Sequence, residues 1–379
     1  MPDIHASAVS ATDWLGRADE IGAQIAATAA RHDAEESFVE DGYRALREAG
    51  FMRALIPVEF GGGGVEYRTI CAVVRRLGTY CGSTALAFSM HCHLVALPVW
   101  RWRHQQAPVE GLLRRIAAGN LILISTGGSD WLPGSGKAVK VDGGYRVTGR
   151  KIFCSGSPMG DILITGAVDE AAEGGPAVLH FGVPFSAEGV RRLDTWHVMG
   201  MRGTGSHDVA LENVFVPDAA IVARRPAGKW SPLFHLLYPL AFPLVYSAYV
   251  GVAEGARARA LEIVRSRPNP KAAVVAAGRL ENAYARAELA LERMITLHET
   301  EAPGPERTGR SAIARTLTGQ AAVETVERAM ELVGGMSFHR DAGLERAFRD
   351  VQGARFHPLT EVSQLELAGR LALGLDIDG

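Results

Sequence analysis

The chain has 379 residues, enough for a large core and for two or three substructures. Hydrophobic residues make up 47% and charged residues 22%, which is the profile of an ordinary globular protein and not of a disordered or fibrous one. A formal net charge of −2 gives no electrostatic case for nucleic acid or an anionic membrane as partner.

The first 119 residues read as helical. "ATDWLGRADEIGAQIAATAARHD" and "EESFVEDGYRALREAG" place apolar residues three and four apart, and the second closes on Gly50. "FMRALIPVEFGGGG" reads as a turn or loop, because its glycines lack the spacing of a dinucleotide fingerprint. Helical patterns follow through "YRTICAVVRRLGTY", "STALAFSMHCHLVAL" and "PVEGLLRRIAAG".

The texture changes near Asn120. "LILISTGG", "KAVKVDGGYRVTGRKIFCSG", "DILITGAV", "AVLHFGVPF" and "HDVALENVFVP" are short β-branched or alternating runs bounded by Gly, Asp and Pro, and "VDGGYRV" is a hairpin signal. They predict a β domain over 120–228. From 229 to 379 helical periods return, with "TEAPGPERTG" as a polar loop between two long helices.

Two apolar stretches, "STALAFSMHCHLVALPVW" and "SPLFHLLYPLAFPLVYSAYVGVA", approach the length of a membrane span. Both carry histidine and proline, so buried helices are expected and no membrane partner. Cys71, Cys81, Cys92 and Cys154 have neither metal-site spacing nor the density of a secreted scaffold. No metal is expected, and the cytoplasm is the expected location. The N-terminus lacks the basic region and apolar run of a secretory signal.

In their order and spacing, "LREAGFMRALIPVEFGG", "STGGSD", "GYRVTGRKIFCSG", "MGMRGTGSHDVALENVFVP" and "ELVGGMSFHRDAGLERAFRD" resemble the acyl-CoA dehydrogenase superfamily over nearly the whole length. The resemblance implies an α+β fold: an N-terminal helical domain, a middle β domain and a C-terminal four-helix bundle assembling as a homotetramer. It also implies a flavin, FAD or FMN, between the β domain and the C-terminal helices. Thr126, Ser129, Phe153 and Ser155 match positions around the flavin, with Ser155 placed to hydrogen-bond N5. Gly334, Gly335 and Arg349 match positions toward the cofactor's arm, although Arg349-Asp350 reads equally as a structural ion pair.

The departures from the family are equally specific. A true dehydrogenase carries a glutamate base eight residues after "RD", or ten before the glycine of "YVGVAEG". Those seats hold Pro358 and Ala241. A missing general base costs about 10²–10⁴ in rate. The segment that grips the cofactor's adenosine is replaced by "RSRPNPKAAV", which implies weak cofactor retention.

His357, seven residues after "RD", instead resembles the flavin-dependent, dibenzothiophene monooxygenase-like branch of the fold. That branch implies reduced flavin from a separate reductase, oxygen, and a small apolar or aromatic substrate. His357 and Ser155 are then catalytic, helped by His91 as the better match in "SMHCH" and His93 as the lesser. Two apart on a helix, these two rings point about 200° away from each other. Plainer readings stand beside these: a helix-ending His357, a satisfied core His91, and a Trp131 that merely covers the β domain. The rivals are an acyl-CoA dehydrogenase using Glu361 and a non-catalytic flavin-binding subunit.

Overall fold

The computed structural model describes residues 13–127 and 130–378. Five helices come first: α1 (Trp14–Glu35), α2 (Glu40–Glu48), α3 (Tyr67–Tyr80), α4 (Gly82–Gln105) and α5 (Glu110–Gly119). Asp13 caps α1 by accepting the Gly16 N–H at 2.9 Å, one of the donors a helix start leaves unpaired. Between α2 and α3 the polyglycine stretch is a packed turn behind two short 3₁₀ turns. A Cβ at Gly62 would lie 2.0 Å from the Ile56 carbonyl oxygen, so only glycine fits.

Eight strands follow: β1 (Leu123–Ser125), β2 (Lys137–Val141), β3 (Gly144–Lys151), β4 (Ile162–Asp169), β5 (Ala177–Pro184), β6 (Val190–Arg192), β7 (Val209–Pro217) and β8 (Ile221–Pro226). They form one sheet in the order β6-β7-β3-β2-β4-β5-β8, with β1 parallel to β4. β2 and β3 make the expected hairpin, closing at Val141↔Gly144 across Gly143, whose φ of 72° suits glycine. β6 and β8 are not legible beforehand, because β6 has three residues and β8 turns Val222 outward and the charged Arg225 inward.

The C-terminal part comprises α6 (Pro232–Arg265), α7 (Val274–Thr300), α8 (Pro305–Val333), α9 (Leu344–Val351) and α10 (Glu361–Ala372). The loop expected over "TEAPGPERTG" shrinks to residues 301–304. Pro305 takes the first helical position, where its missing N–H costs nothing.

α4 and α6 are long and apolar enough by composition to cross a bilayer, but 78% and 94% of their apolar windows lie inside the protein. They are core helices, apolar on all sides because neighbours surround them. α6 tolerates two internal prolines. Pro239 leaves the His235 carbonyl without its helical donor, and the buried Arg307 of α8 supplies one at 3.2 Å. α3 and α6 cross at glycines: a Cβ on Gly251 would lie 2.1 Å from the Arg75 carbonyl oxygen, and one on Gly78 2.7 Å from that of Ala248.

Candidate active site

Where β1 ends, the Gly127 N–H donates to the Ile152 carbonyl at 2.9 Å and brings Thr126 beside the end of β3. Gly127 has no alternative, since a Cβ there would lie 2.6 Å from that of Phe153. Phe153 itself has φ 57°, an uncommon conformation for a bulky residue, and leaves half its surface exposed. Its ring meets Trp196 edge-on at 5.9 Å. An aromatic side chain held in the left-handed region and half exposed is not core packing. Ser129 lies outside the described residues.

Ser155 is buried, and its hydroxyl begins a chain. Its Oγ lies 2.7 Å from Ser206 Oγ, which lies 2.7 Å from Thr204 Oγ1, which lies 2.9 Å from the Met201 carbonyl oxygen. Met201 in turn donates its N–H to the Asp350 carboxylate of α9. Burial raises the Asp350 carboxyl to about 6, opposed by that N–H. The "RD" motif is therefore a corner piece between the β domain and the helices.

Arg349 corrects the expectation that it holds the cofactor. Its guanidinium pairs with Asp33 of α1 at 2.6 and 2.9 Å, with Glu345 at 2.7 Å, and with the Met199 carbonyl at 3.0 Å. These partners raise its pKa further, and it is spent on the fold. Gly334 and Gly335 close α8 at the surface, with open space where side chains would begin.

His91 also differs from expectation. The Leu123 N–H donates to its Nδ1 at 3.0 Å, and its Nε2 donates to the Met52 carbonyl at 2.7 Å, so α4 is tied to β1 and to the turn after α2. With both nitrogens engaged by backbone, burial holds the ring neutral at about 4. His91 is a satisfied core histidine with no group left for catalysis. His93 is buried with Nδ1 unpartnered.

His357 follows α9 and is fixed from two helices. Its Nε2 lies 2.7 Å from the Tyr249 hydroxyl of α6, and Arg315 of α8 donates to its carbonyl. Tyr246, one turn before Tyr249, donates to the Ala354 carbonyl, so α6 holds both ends of the segment. Tyr249 is buried, and His357 Nε2 is the one acceptor its hydroxyl meets among the described residues. The phenol therefore donates, and the imidazole carries its proton on Nδ1. Burial, then the nearby Arg315 guanidinium, push His357 down to about 3. It is neutral near pH 7 and offers an N–H donor.

Aromatic rings line α6 beside this segment: Phe234, Tyr238, Phe242 and Tyr246, at four-residue spacing. Trp131 packs on Phe234 at 4.3 Å and Tyr238 at 5.8 Å, docking the β1–β2 loop onto that row. Glu361 stands exposed at the start of α10, where Gln320 donates to it at 2.9 Å. It is a surface carboxylate, not a buried base.

Three residues that sequence reasoning missed organise this region. Lys151, fully buried, pairs with Asp130 at 3.0 Å and donates to the Ser135 carbonyl at 2.7 Å. Ser206 and Thr204 complete the hydroxyl chain. The signal for them is present in "MRGTGSHDV", a run with two hydroxyls two apart in a strand lead-in, but such runs are common.

The acyl-CoA dehydrogenase N-terminal, middle and C-terminal domain models match residues 18–119, 125–214 and 243–362. The chain belongs to the acyl-CoA dehydrogenase family. Family members differ in what they do. A putative acyl-CoA dehydrogenase of Bacillus subtilis is 26% identical over 91% of this chain and 92% of its own. A dibenzothiophene monooxygenase of Rhodococcus erythropolis is 28% identical over 82% of each. The solved structure of KijD3, in complex with FMN and a dTDP-linked amino-keto sugar, is 27% identical with a TM-score of 0.86, covering 97% of this chain and 94% of its own. The family binds flavin. The residues here fit a flavin ring: the outward Phe153, the side-chain-free Gly127 beside it, and a hydroxyl at Ser155.

Proposed function

We propose that this family member is a flavin-dependent monooxygenase, using reduced FMN from a separate reductase and O₂ to oxidise a small apolar or aromatic substrate. One observation carries the reading. The two seats of a dehydrogenase base hold Pro358 and Ala241, while His357, next to the first, is fixed by Tyr249 as a neutral donor. A dehydrogenase must remove a substrate proton, and no buried carboxylate stands at either seat to take it.

Bound flavin would supply two electrons and the atom at which O₂ is activated. The chain's own residues supply the rest. Phe153 and Thr126 hold the ring, and Ser155 hydrogen-bonds it. His357 Nδ1–H donates to an oxygen of the reacting partner, and the row from Phe234 to Tyr246 gives an apolar wall that excludes water. FMN suits the altered "RSRPNPKAAV" segment better than FAD, whose adenosine has lost its usual grip. The relatives' ligands, an amino-keto sugar among them, leave the wall's chemistry as the guide to the substrate.

The assembly belongs to the same reading. Leu317 on α8, Phe356, and Val362 and Leu365 on α10 are exposed apolar side chains of the C-terminal helices, suited to a homotetramer interface. Light scattering at micromolar concentration giving a monomer would remove that part.

The deciding experiment supplies reduced FMN anaerobically, admits O₂, and follows oxygen use and hydrogen peroxide with candidate aromatic substrates. Substrate-dependent oxygen use with little peroxide is expected. Anaerobic bleaching of bound flavin by acyl-CoA in the unmodified protein would overturn the reading. His357→Ala should release peroxide in place of product while flavin affinity holds.

A further inference from the structure

The hydroxyl chain is anchored at one end, where Thr204 Oγ1 donates to the Met201 carbonyl at 2.9 Å. Ser155, Ser206 and Thr204 each carry one hydroxyl proton, and all three are buried away from solvent. The chain ends on the Met201 carbonyl, which can only accept. If Thr204 donates to Met201, Ser206 donates to Thr204 and Ser155 donates to Ser206, every proton is paired. In the reverse order the Ser155 proton has no acceptor among the described residues, while the Met201 carbonyl keeps the Trp196 Nε1–H and Thr204 N–H donors. The described protein groups therefore favour the first order by one hydrogen bond, and it leaves Ser155 Oγ with a lone pair that no described donor engages.

Flavin N5 changes character with oxidation state: it bears a hydrogen when the ring is reduced and a lone pair when it is oxidised. Resting on the proposed placement of the ring at Ser155, we propose that the Ser155–Ser206–Thr204–Met201 chain is a redox-state selector that makes Ser155 an acceptor and favours reduced over oxidised flavin. Oxidised flavin needs a donor at N5, which requires all three hydroxyls to reverse. An enzyme that borrows reduced flavin and must release the oxidised form gains from such a bias, whereas a dehydrogenase that starts from oxidised flavin does not. Ser206 and Thr204 act through Ser155 and are positioning residues.

The test is the ratio of dissociation constants for oxidised FMN and for dithionite-reduced FMN under anaerobic conditions, with no turnover involved. The unmodified protein should bind reduced FMN more tightly, and Ser206→Ala should shrink that preference by about three- to tenfold, the worth of one hydrogen bond. Thr204→Val should do the same, while Thr204→Ser, which keeps the hydroxyl, should preserve the ratio. Melting curves on each variant separate this from misfolding. If Ser155→Ala changes the ratio but Ser206→Ala and Thr204→Val do not, the selector is wrong and the flavin placement survives. If Ser155→Ala changes neither constant, the ring is not at Ser155 and both readings fall.

Discussion

Lys151 and Asp130 form an ion pair inside the β domain, with the ammonium wholly buried and the carboxylate 11% exposed. Burial lowers the Lys151 pKa and the Asp130 charge opposes that shift, so each group depends on the other. Asp130 also accepts from Thr165 at 3.2 Å, which anchors the segment after β1 to β4.

Lys151→Met should strand that carboxylate in a low-dielectric interior. A loss of about 3–5 kcal/mol is the usual result of removing one partner of a buried pair. Urea unfolding measures it. FMN affinity should fall as well, because Thr126 rides on the same segment.

His91→Phe keeps the volume but orphans the Leu123 N–H and the Met52 carbonyl, both buried. A cost of about 2–4 kcal/mol follows from two lost hydrogen bonds. The yield of product per O₂ should stay at its unmodified value in whatever fraction remains folded. A surge of peroxide from this variant would return His91 to the catalytic group.

Arg349→Ala removes the clamp between α9 and Asp33, whose side chains are 20% and 15% exposed. Partial screening puts the expected loss at about 1–3 kcal/mol. Calorimetry reads that loss, and FMN titration should show little change. Selective loss of FMN binding with an unaltered melting temperature would contradict the structural role.

Acid should destabilise the protein from about pH 6.5 downward. Burial holds His91, His93 and His180 at about 4, and His298 and His357 at about 3, against an unfolded value near 6.5. Between pH 6.5 and 4 the unfolded chain binds protons that the native state refuses, so stability falls as pH drops. Asp350, raised to about 6, works the other way over most of that window, but it is one group against five. Melting temperature across pH 7 to 4 should decline steadily, and less steeply in His298→Asn if that variant folds.

Fold class and element order were legible because they rest on periodicity and turn chemistry, which are local. "VDGGYRV" had to be a hairpin, and α6, lacking a polar face, had to be central. Ser155, Phe153 and His357 could be singled out as candidates by position in motifs. What those side chains do could not, because it depends on groups far away in the chain. His91 becomes structural only when Met52 and Leu123 arrive on either side of it, and His357 loses its titration only when Tyr249 and Arg315 enclose it. Arg349 shows the same thing from the other end: a motif arginine can serve a cofactor or a carboxylate, and Asp33 lies 316 residues away.

The glycine crossing of α3 and α6 bears on how the protein moves. Backbone meets backbone there, with a Cβ on Gly251 placed 2.8 Å from the Gly78 Cα, so no side chain lies between the helices to act as a bearing. A glycine in mid-helix sacrifices about 0.5–1 kcal/mol of local preference for such an approach. Two rods in direct contact cannot slide past one another without atomic overlap. The N-terminal and C-terminal helices therefore form a single stiff frame, although 170 or more residues separate the contacts in sequence. Whatever flexes to admit a ligand must be hung on that frame rather than be part of it: the strand domain that carries Ser155, or the short segment that carries His357.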